Sequence, residues 1–334
     1  MSLFDKIKTI KDAHEINVCM MGPRSVGKTT IMTSIFYEMC EGLSDTKLYM
    51  AFSNPAENGK MGAFYQSLKR AVEKQNPSEL PASYSEEQFR FDIGLKGRHP
   101  SVKLVVQDYP GEYLVNQSEK VREFVQRSQI VLVAIDTPYL METDQDCNEA
   151  RNQIKLVTEY LTGNVDTIKN KLVLLVPLKC ERYAHDGRID EVSERVSIAY
   201  SGLKDSFAQN NIACIVTPIQ TLGGIELDKM VDNPDALDGV RMKSVYRSYA
   251  AAPKYAPLFC RQPFYYLLAY TACHTEWQQT HTSGSFMDRL LSSLGAYLKK
   301  DKDFYSEIRG MQSKLFYNEK GFKTITTNTI LRLS

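Results

Sequence analysis

The first two thirds of the chain alternates between short apolar runs and longer segments with helical spacing. Apolar runs that predict strands cover residues 15–21, 47–52, 88–95, 102–108, 129–135, 171–178 and 213–217. Helical spacing marks residues 28–40, 60–75, 145–161 and 189–209. Several strands are apolar at nearly every position, as in strands buried on both faces of a parallel sheet. The pattern predicts an α/β fold, a three-layer sandwich with a mostly parallel central sheet covered by helices.

Two of these strands are predicted to form a hairpin. Residues 88–95 alternate between polar and apolar positions, whereas residues 102–108 are more continuously apolar, and His99-Pro100 lies between them. We therefore place the second of these strands in the centre of the sheet.

The pattern changes after Gly223-Gly224, where a loop containing four prolines leads into helix-like segments. These segments cover residues 263–279, 285–300 and 303–315. We predict a P-loop domain over residues 1–230 and a helical C-terminal elaboration over residues 231–334, packed on the same domain. An aromatic cluster in the elaboration is better explained by buried helix packing than by a partner surface. Its members are Phe259, Phe264, Tyr265, Tyr266, Tyr270 and Trp277.

Composition excludes several classes of protein. Lys and Arg number 41 against 40 Asp and Glu, so no global charge draws the chain to nucleic acid or to an anionic membrane. The seven cysteines form no CxxC pair, which is typical of a reduced cytosolic protein. The N-terminus lacks a signal-peptide core, and the densest apolar run, 264–273, is too short to span a bilayer. We predict a cytoplasmic protein without a membrane span.

The segment GPRSVGKT, from Gly22 to Thr29, matches the P-loop pattern GxxxxGK[ST]. The glycines let backbone N–H groups turn toward a β-phosphate, Lys28 supplies charge to the β and γ oxygens, and the Thr29 hydroxyl is placed to ligate Mg²⁺. A strand before the loop and a helix after it supply the required context. The predicted nucleotide-binding residues here are Ser25, Val26, Gly27, Lys28, Thr29 and Thr30.

Asp108-Tyr109-Pro110-Gly111 ends a predicted strand with the pattern hhhhxDxxG. Asp108 at the carboxyl end of that strand can face the P-loop and hold the metal through water, while the backbone N–H of Gly111 can approach a γ-phosphate. The alternative is an ordinary strand-ending turn rich in Asp, Pro and Gly. The P-loop upstream favours the functional interpretation.

Lys179 and Glu181 lie where guanine-specific P-loop proteins carry [NT]KxD, and Leu178 replaces the polar first residue of that motif. Glu181 keeps the bidentate acceptor that guanine N1 and N2 groups require, with one more methylene than aspartate. Adenine binding or relaxed specificity stays open, as does a solvated strand end that binds no base.

Together the segments GPRSVGKT, QDYPGE, PLKCE and TPIQTLGG resemble the G1, G3, G4 and G5 motifs of TRAFAC-class GTPases. Within that class they are most similar to the bacterial double-GTPase group, over residues 14–225. The resemblance implies a Ras-like P-loop NTPase that uses GTP or GDP with Mg²⁺. It places Lys28 and Thr29 on phosphate and metal, Asp108 on the metal side, Gly111 as the γ-phosphate sensor, Lys179 and Glu181 on the base, and Ile219 and Gln220 in a loop whose backbone contacts the base.

Two departures from the family pattern and one candidate charge in the P-loop affect catalysis. Glu112 stands where small GTPases have a water-orienting Gln, and it can act as a general base or repel the γ-phosphate. Arg24 is a candidate cis charge for the transition state, but a side chain that points to solvent or pairs with a neighbouring acid is the favoured interpretation. No clear switch I threonine precedes the strand at 88–95, and the nearest hydroxyls, Ser83 and Ser85, can equally be ordinary polar residues of a loop.

The first functional hypothesis is a Mg²⁺-dependent GTPase that acts as a switch for an unidentified protein effector or activator. We assign catalysis to Lys28, Gly111, Glu112 and Arg24 on this hypothesis. Two alternatives are a catalytically weak nucleotide-bound scaffold and a P-loop ATPase.

Overall fold

The computed structural model describes residues 14–76, 86–234, 240–281 and 302–331. Within these ranges the chain forms an eight-stranded central sheet and a separate two-stranded hairpin. The strands are β1 (His14–Met21), β2 (Leu48–Phe52), β3 (Glu87–Leu95), β4 (Val102–Asp108), β5 (Ile130–Asp136), β6 (Leu172–Leu178), β7 (Ala213–Val216), β8 (Ile225–Asp232), β9 (Met242–Ser248) and β10 (Lys323–Thr326).

The central sheet has the order β10-β7-β6-β5-β1-β4-β3-β2. Strands β4, β1, β5, β6 and β7 run parallel, and β2, β3 and β10 join at the two sides through antiparallel pairs. The mostly parallel α/β sheet predicted from the sequence is confirmed. The β3–β4 hairpin is also confirmed, with β4 inside the sheet as the apolar run indicated.

Helices cover the described sheet on both faces. They are α1 (Lys28–Gly42), α2 (Pro55–Glu73), α3 (Tyr113–Asn116), α4 (Ser118–Arg127), α5 (Thr137–Glu142), α6 (Gln145–Asn152), α7 (Ile154–Gly163), α8 (Val165–Ile168), α9 (Glu181–His185), α10 (Ile189–Ala199), α11 (Lys204–Gln209), α12 (Arg261–His281) and α13 (Lys302–Gly310). Residues of α1, α12 and α13 pack on one face of the sheet, and residues of α4, α7 and α10 pack on the other. Alternate side chains of each central strand therefore enter two separate cores.

Two predicted helices are interrupted. The segment predicted as one helix over 145–161 forms α6 and α7, separated at Gln153, which has a left-handed backbone with φ of 47°. The segment 189–209 forms α10, a 3₁₀ turn at Ser201–Leu203, and α11. In the first case the apolar spacing continues across the break, so the periodicity alone does not reveal it.

The C-terminal third contains strands as well as helices. The predicted helix 263–279 is α12, and 303–315 forms α13 followed by a 3₁₀ turn, whereas the predicted helix 285–300 lies outside the described residues. The sequence analysis did not predict β8, β9 or β10. Tyr265, Tyr266 and Tyr270 of the aromatic cluster are buried in the packing of α12.

No helix in the described parts of the chain is long and apolar enough to cross a membrane.

Candidate functional site

Four polar segments meet at one edge of the central sheet. Because β1, β4, β5 and β6 are parallel, their carboxyl ends lie at the same edge. These ends lead into the P-loop, Asp108, Asp136 and Lys179, respectively. The fold thus gathers the residues predicted to contact phosphate, metal and base, which are far apart in the sequence.

The P-loop leads directly into α1. Gly27 precedes the helix with a left-handed φ of 116°, and no side chain caps the first turn. Because a helix N-terminus carries backbone N–H groups that lack partners within the helix, this arrangement suits a phosphate. Val26 is buried in the core and Thr30 is half-buried, so their backbones rather than their side chains are suited to line the loop.

Lys28 lies inside the loop that it is predicted to serve. Its Nζ donates to the carbonyl oxygens of Gly22 at 2.9 Å and Pro23 at 3.1 Å. Burial lowers the pKa of the ammonium, and the neighbouring carboxylates of Asp108 and Glu112 oppose that shift. The structure therefore holds a buried cation in the centre of the phosphate loop.

The two predicted metal residues are in contact. The Thr29 hydroxyl donates to Oδ2 of Asp108 at 2.9 Å. Burial raises the pKa of Asp108, whereas the charge of Lys28 and the Thr29 hydrogen bond lower it. The other carboxylate oxygen of Asp108, Oδ1, is buried and has no hydrogen-bond partner among the described residues. An oxygen pair with one unused acceptor fits the water-bound coordination that Mg²⁺ prefers.

Gly111 approaches the P-loop backbone directly. A Cβ atom at this position would overlap backbone atoms of Pro23 and Arg24. Only glycine permits so close an approach of the two segments. A movement of the 108–112 segment would therefore change its contact with the P-loop backbone.

Two of the candidate catalytic side chains, Arg24 and Glu112, contact each other. Arg24 Nη1 lies 3.4 Å from Glu112 Oε1, and each side chain is 44% exposed. Exposed pairs of this kind contribute about 0–1 kcal/mol, so either side chain can leave the pair at little cost. Of the sequence's two interpretations of Arg24, this geometry corresponds to pairing with an acid.

Leu178 lies where the [NT]KxD motif begins with a polar residue, and it makes an apolar contact. A Cβ atom on Gly27 would lie 2.8 Å from Cδ1 of Leu178, so Leu178 packs against the P-loop. The next residue, Lys179, has a left-handed φ of 58° and donates to Oδ2 of Asp136 at 2.7 Å. This ion pair is largely buried, because only 17% of the Lys179 side chain and none of the Asp136 side chain is exposed.

Glu181 is buried beneath the loop that follows β7. Its Oε1 accepts from the backbone N–H groups of Leu222 at 2.6 Å and Gly223 at 3.1 Å. Burial raises the pKa of the carboxyl, although these hydrogen bonds lower it. Oε2 is also buried and accepts no hydrogen bond from any described residue. One carboxylate oxygen of Glu181 thus orders the TLGG segment, and the other oxygen has no hydrogen-bond partner among the described residues.

Ile219 is fixed between two segments of the base side. Its N–H donates to the Pro177 carbonyl at 2.9 Å, and its carbonyl accepts from the N–H of Cys180 at 3.2 Å. Gln220 pairs through its backbone with Leu258 in both directions. The predicted base loop is therefore held by the rest of the protein. Ser83 and Ser85, proposed for switch I, lie outside the described residues.

Comparison with protein families agrees with this geometry. The model of the Double-GTPase 2 family matches residues 16–214, which is more than half of the chain. The chain belongs to the Double-GTPase 2 family. The matched range contains the P-loop, Asp108, Gly111, Lys179 and Glu181, so these residues of the candidate site lie inside the family region.

Among solved structures, the chain is similar to the S. cerevisiae Ski7 GTPase-like domain bound to GTP, with 15% identity, a TM-score of 0.39, and coverage of 76% of this chain and 50% of that one. The same domain bound to GDP and inorganic phosphate gives 15% identity, a TM-score of 0.38 and the same coverage. The chain therefore spans half the length of these structures. No curated protein sequence matches it.

Two residues that contact the candidate site were missed by sequence reasoning. Asp136 ends β5 with no exposed surface, and Arg151 near the end of α6 donates to it through Nε at 3.0 Å. An acidic residue after the buried run IVLVAID was a usable signal, because it resembles Asp108 at the end of β4. No sequence signal marks Arg151.

Proposed function

We propose that the protein binds GTP, hydrolyses it to GDP and phosphate with Mg²⁺, and acts as a nucleotide-dependent switch for a protein partner. The observation that carries the proposal is the contact between Thr29 and Asp108 beside Lys28, with Gly111 against the P-loop. The residues that would bind phosphate, hold the metal and sense the γ-phosphate therefore lie next to one another.

Each residue has a distinct task in this proposal. The first-turn N–H groups of α1 and the ammonium of Lys28 bind the β and γ oxygens. Thr29 would hold Mg²⁺ through its hydroxyl, and Asp108 would hold it through water. The ion would neutralise charge that develops on the phosphate oxygens. Gly111 offers its backbone N–H to the γ-phosphate because no side chain separates it from the loop.

Guanine is the base that the site supports best. Guanine presents two neighbouring donors, N1–H and the N2 amino group, and a carboxylate oxygen can accept from either of them. Oε2 of Glu181 has no hydrogen-bond partner among the described residues, whereas Oε1 is bonded to Leu222 and Gly223, and Lys179 lies two residues before Glu181. We propose that Glu181 accepts from the base and that Lys179, fixed by Asp136, packs along it.

A switch role is supported by the contact at Gly111. The segment that would sense the γ-phosphate continues directly into α3 (Tyr113–Asn116), where Val115 is 65% exposed. Movement of Gly111 relative to the P-loop would therefore move an exposed apolar side chain, a change that a partner can recognise.

One observation favours a second candidate, a nucleotide-bound scaffold with weak or absent hydrolysis. Glu112 occupies the position after Gly111, and its carboxylate is partly exposed next to the P-loop. A negative charge there repels a γ-phosphate unless it takes part in proton transfer. Nucleotide binding would then persist without turnover.

Phosphate release separates the two candidates. We expect the purified protein, mixed with a slight deficit of GTP and with Mg²⁺, to release phosphate slowly, at or below about 10⁻² per second. Chelating Mg²⁺ with EDTA should abolish the release, because the metal neutralises the charge of the transferred group. A Lys28→Ala sample serves as the blank. Tight retention of intact GTP over many hours would establish the scaffold, and fast turnover would contradict the need for an activator.

A further inference from the structure

The strongest unassigned feature is an ion cluster centred on Asp136. This carboxylate is fully buried, and its Oδ2 accepts from Lys179 at 2.7 Å and from Arg151 at 3.0 Å. Burial alone would raise the pKa of Asp136, but the two cations outweigh it and lower the pKa. A buried carboxylate is therefore kept charged by one residue of the base motif and by one arginine outside every motif.

Arg151 extends from this cluster to the phosphate loop. Its Nη2 donates to the Ser25 carbonyl at 2.6 Å while its Nε holds Asp136. Its guanidinium lies over the Tyr139 ring, with 5.1 Å between Cζ and the ring centroid. The planar fork of an arginine can contact two acceptors in this way with little rotational freedom left.

The backbone of α6 fixes where Arg151 can reach. Asn152 accepts from the N–H of Asp136 at 2.7 Å and donates to the Asp136 carbonyl at 3.1 Å. The end of α6 is thus attached to the end of β5 by the residue next to Arg151. The Nε and Nη2 donors of Arg151 are therefore held at Asp136 and Ser25 before any ligand binds.

The two segments joined by the cluster both contain a strained residue. Ser25 in the P-loop and Lys179 in the base motif each have a left-handed φ of 58°, a conformation that side-chain-bearing residues seldom adopt. Lys179 is held by Asp136 directly, and Ser25 is held by Asp136 through Arg151. One carboxylate therefore stabilises an unfavourable backbone conformation on each side of the site.

We propose that Arg151 is a positioning residue that holds the P-loop in its phosphate-binding conformation and couples it, through Asp136, to Lys179 of the base motif. The inference rests on the proposed function only in that the P-loop binds a nucleotide. It does not depend on which base is bound, because Arg151 contacts the loop backbone.

A purely structural role for Arg151 predicts a different result. If the arginine only neutralises Asp136, its loss would lower the stability of the nucleotide-free protein and leave phosphate binding unchanged. A positioning role instead changes binding of the β-phosphate, since Ser25 belongs to the loop that surrounds it.

The test compares Arg151→Met, Arg151→Lys and wild type by the dissociation rate of fluorescent GDP and by competition with GDP and GMP. Arg127→Met is the matched control, because Arg127 is an arginine in an exposed pair with Glu123 at 3.8 Å. We expect Arg151→Met to release GDP about tenfold faster and to lose a similar factor in its preference for GDP over GMP. Arg127→Met should behave as wild type.

Arg151→Lys keeps a positive charge beside Asp136 and therefore protects the fold. Its single ammonium cannot reproduce the planar fork, so it should unfold near the wild-type temperature and still release GDP faster. Wild-type dissociation rates and an unchanged GDP-to-GMP preference in both variants would overturn the inference.

The same design separates this inference from the proposed function. If the wild type retains ADP instead of GDP, the guanine proposal fails, and the same comparison with ADP and AMP still tests Arg151. If the wild type retains neither nucleotide, both proposals are contradicted.

Discussion

Replacing Lys28 by alanine is expected to weaken GTP and GDP binding by about 100- to 1,000-fold, because two hydrogen bonds between a cation and phosphate oxygens are lost. Lys28 is 7% exposed and is bonded to the carbonyls of Gly22 and Pro23, so it lies within the curve of the loop. Equilibrium titration with a fluorescent guanine nucleotide in the presence of Mg²⁺ measures the change.

The fold should tolerate this substitution. Because burial already lowers the pKa of Lys28, the ammonium is held at some cost, and its removal should affect the free energy of unfolding less than it affects nucleotide binding. Lys47→Ala is the control, since the Lys47 side chain is 79% exposed and pairs with Glu307 at the surface. Unchanged nucleotide affinity in Lys28→Ala would refute the assignment of this loop.

Replacing Gly111 by alanine is expected to lower the free energy of unfolding by about 1–3 kcal/mol, the usual cost of an added methyl group in a filled space. The new Cβ would overlap the backbone of Pro23 and Arg24, which cannot rotate away as a flexible side chain would. If the two segments separate instead, the protein keeps its stability and loses GTP hydrolysis, because the Gly111 N–H no longer reaches the γ-phosphate. Chemical denaturation and phosphate release measured together distinguish the two effects.

Gly59→Ala provides the matched control for Gly111→Ala. Gly59 lies within α2, and a Cβ atom there would have no atom within 4 Å. Alanine should therefore stabilise the helix by about 0.5–1 kcal/mol. A Gly111→Ala protein with both wild-type stability and wild-type hydrolysis would show that the close approach has no functional importance.

The sequence predicts the fold and the candidate site wherever the signal is local. Strand β1, the P-loop and α1 are consecutive, so the motif and its structural context can be recognised together. Asp108 and Lys179 follow buried apolar runs, and the parallel arrangement of such runs brings their carboxyl ends to one edge. This reasoning predicts the neighbourhood of the site before any contact is known.

Features that depend on tertiary contacts could not be predicted in this way. The break between α6 and α7 follows Asn152, whose side chain binds the backbone of Asp136, and helical periodicity contains no trace of that contact. The contact of Arg151 with the Ser25 carbonyl likewise joins residues that are far apart in the sequence. Strand β10 has four residues and gains its place by pairing with β7, which a short polar segment does not reveal.

The hydrogen bonds between Glu181 and the backbone of the protein could not be predicted from the sequence either. The family motif assigns this carboxylate to the base, but in the structure one oxygen already orders Leu222 and Gly223. The extra methylene of glutamate, compared with aspartate, is consistent with a side chain that reaches a protein loop as well as a ligand. The two tasks make different predictions for a substitution that removes only one of them.

Competition of GTP, GDP and ATP against a fluorescent guanine nucleotide, on wild type and on Glu181→Gln, tests the central claim most directly. Glutamine keeps one oxygen for the N–H groups of Leu222 and Gly223. Its amide NH₂ group, a hydrogen-bond donor, replaces the second acceptor and repels the guanine donors. We predict that GTP and GDP displace the probe from wild type far better than ATP, and that Glu181→Gln loses about tenfold in GTP affinity with no loss for ATP. Equal competition by ATP, unchanged in Glu181→Gln, would contradict a guanine-nucleotide switch.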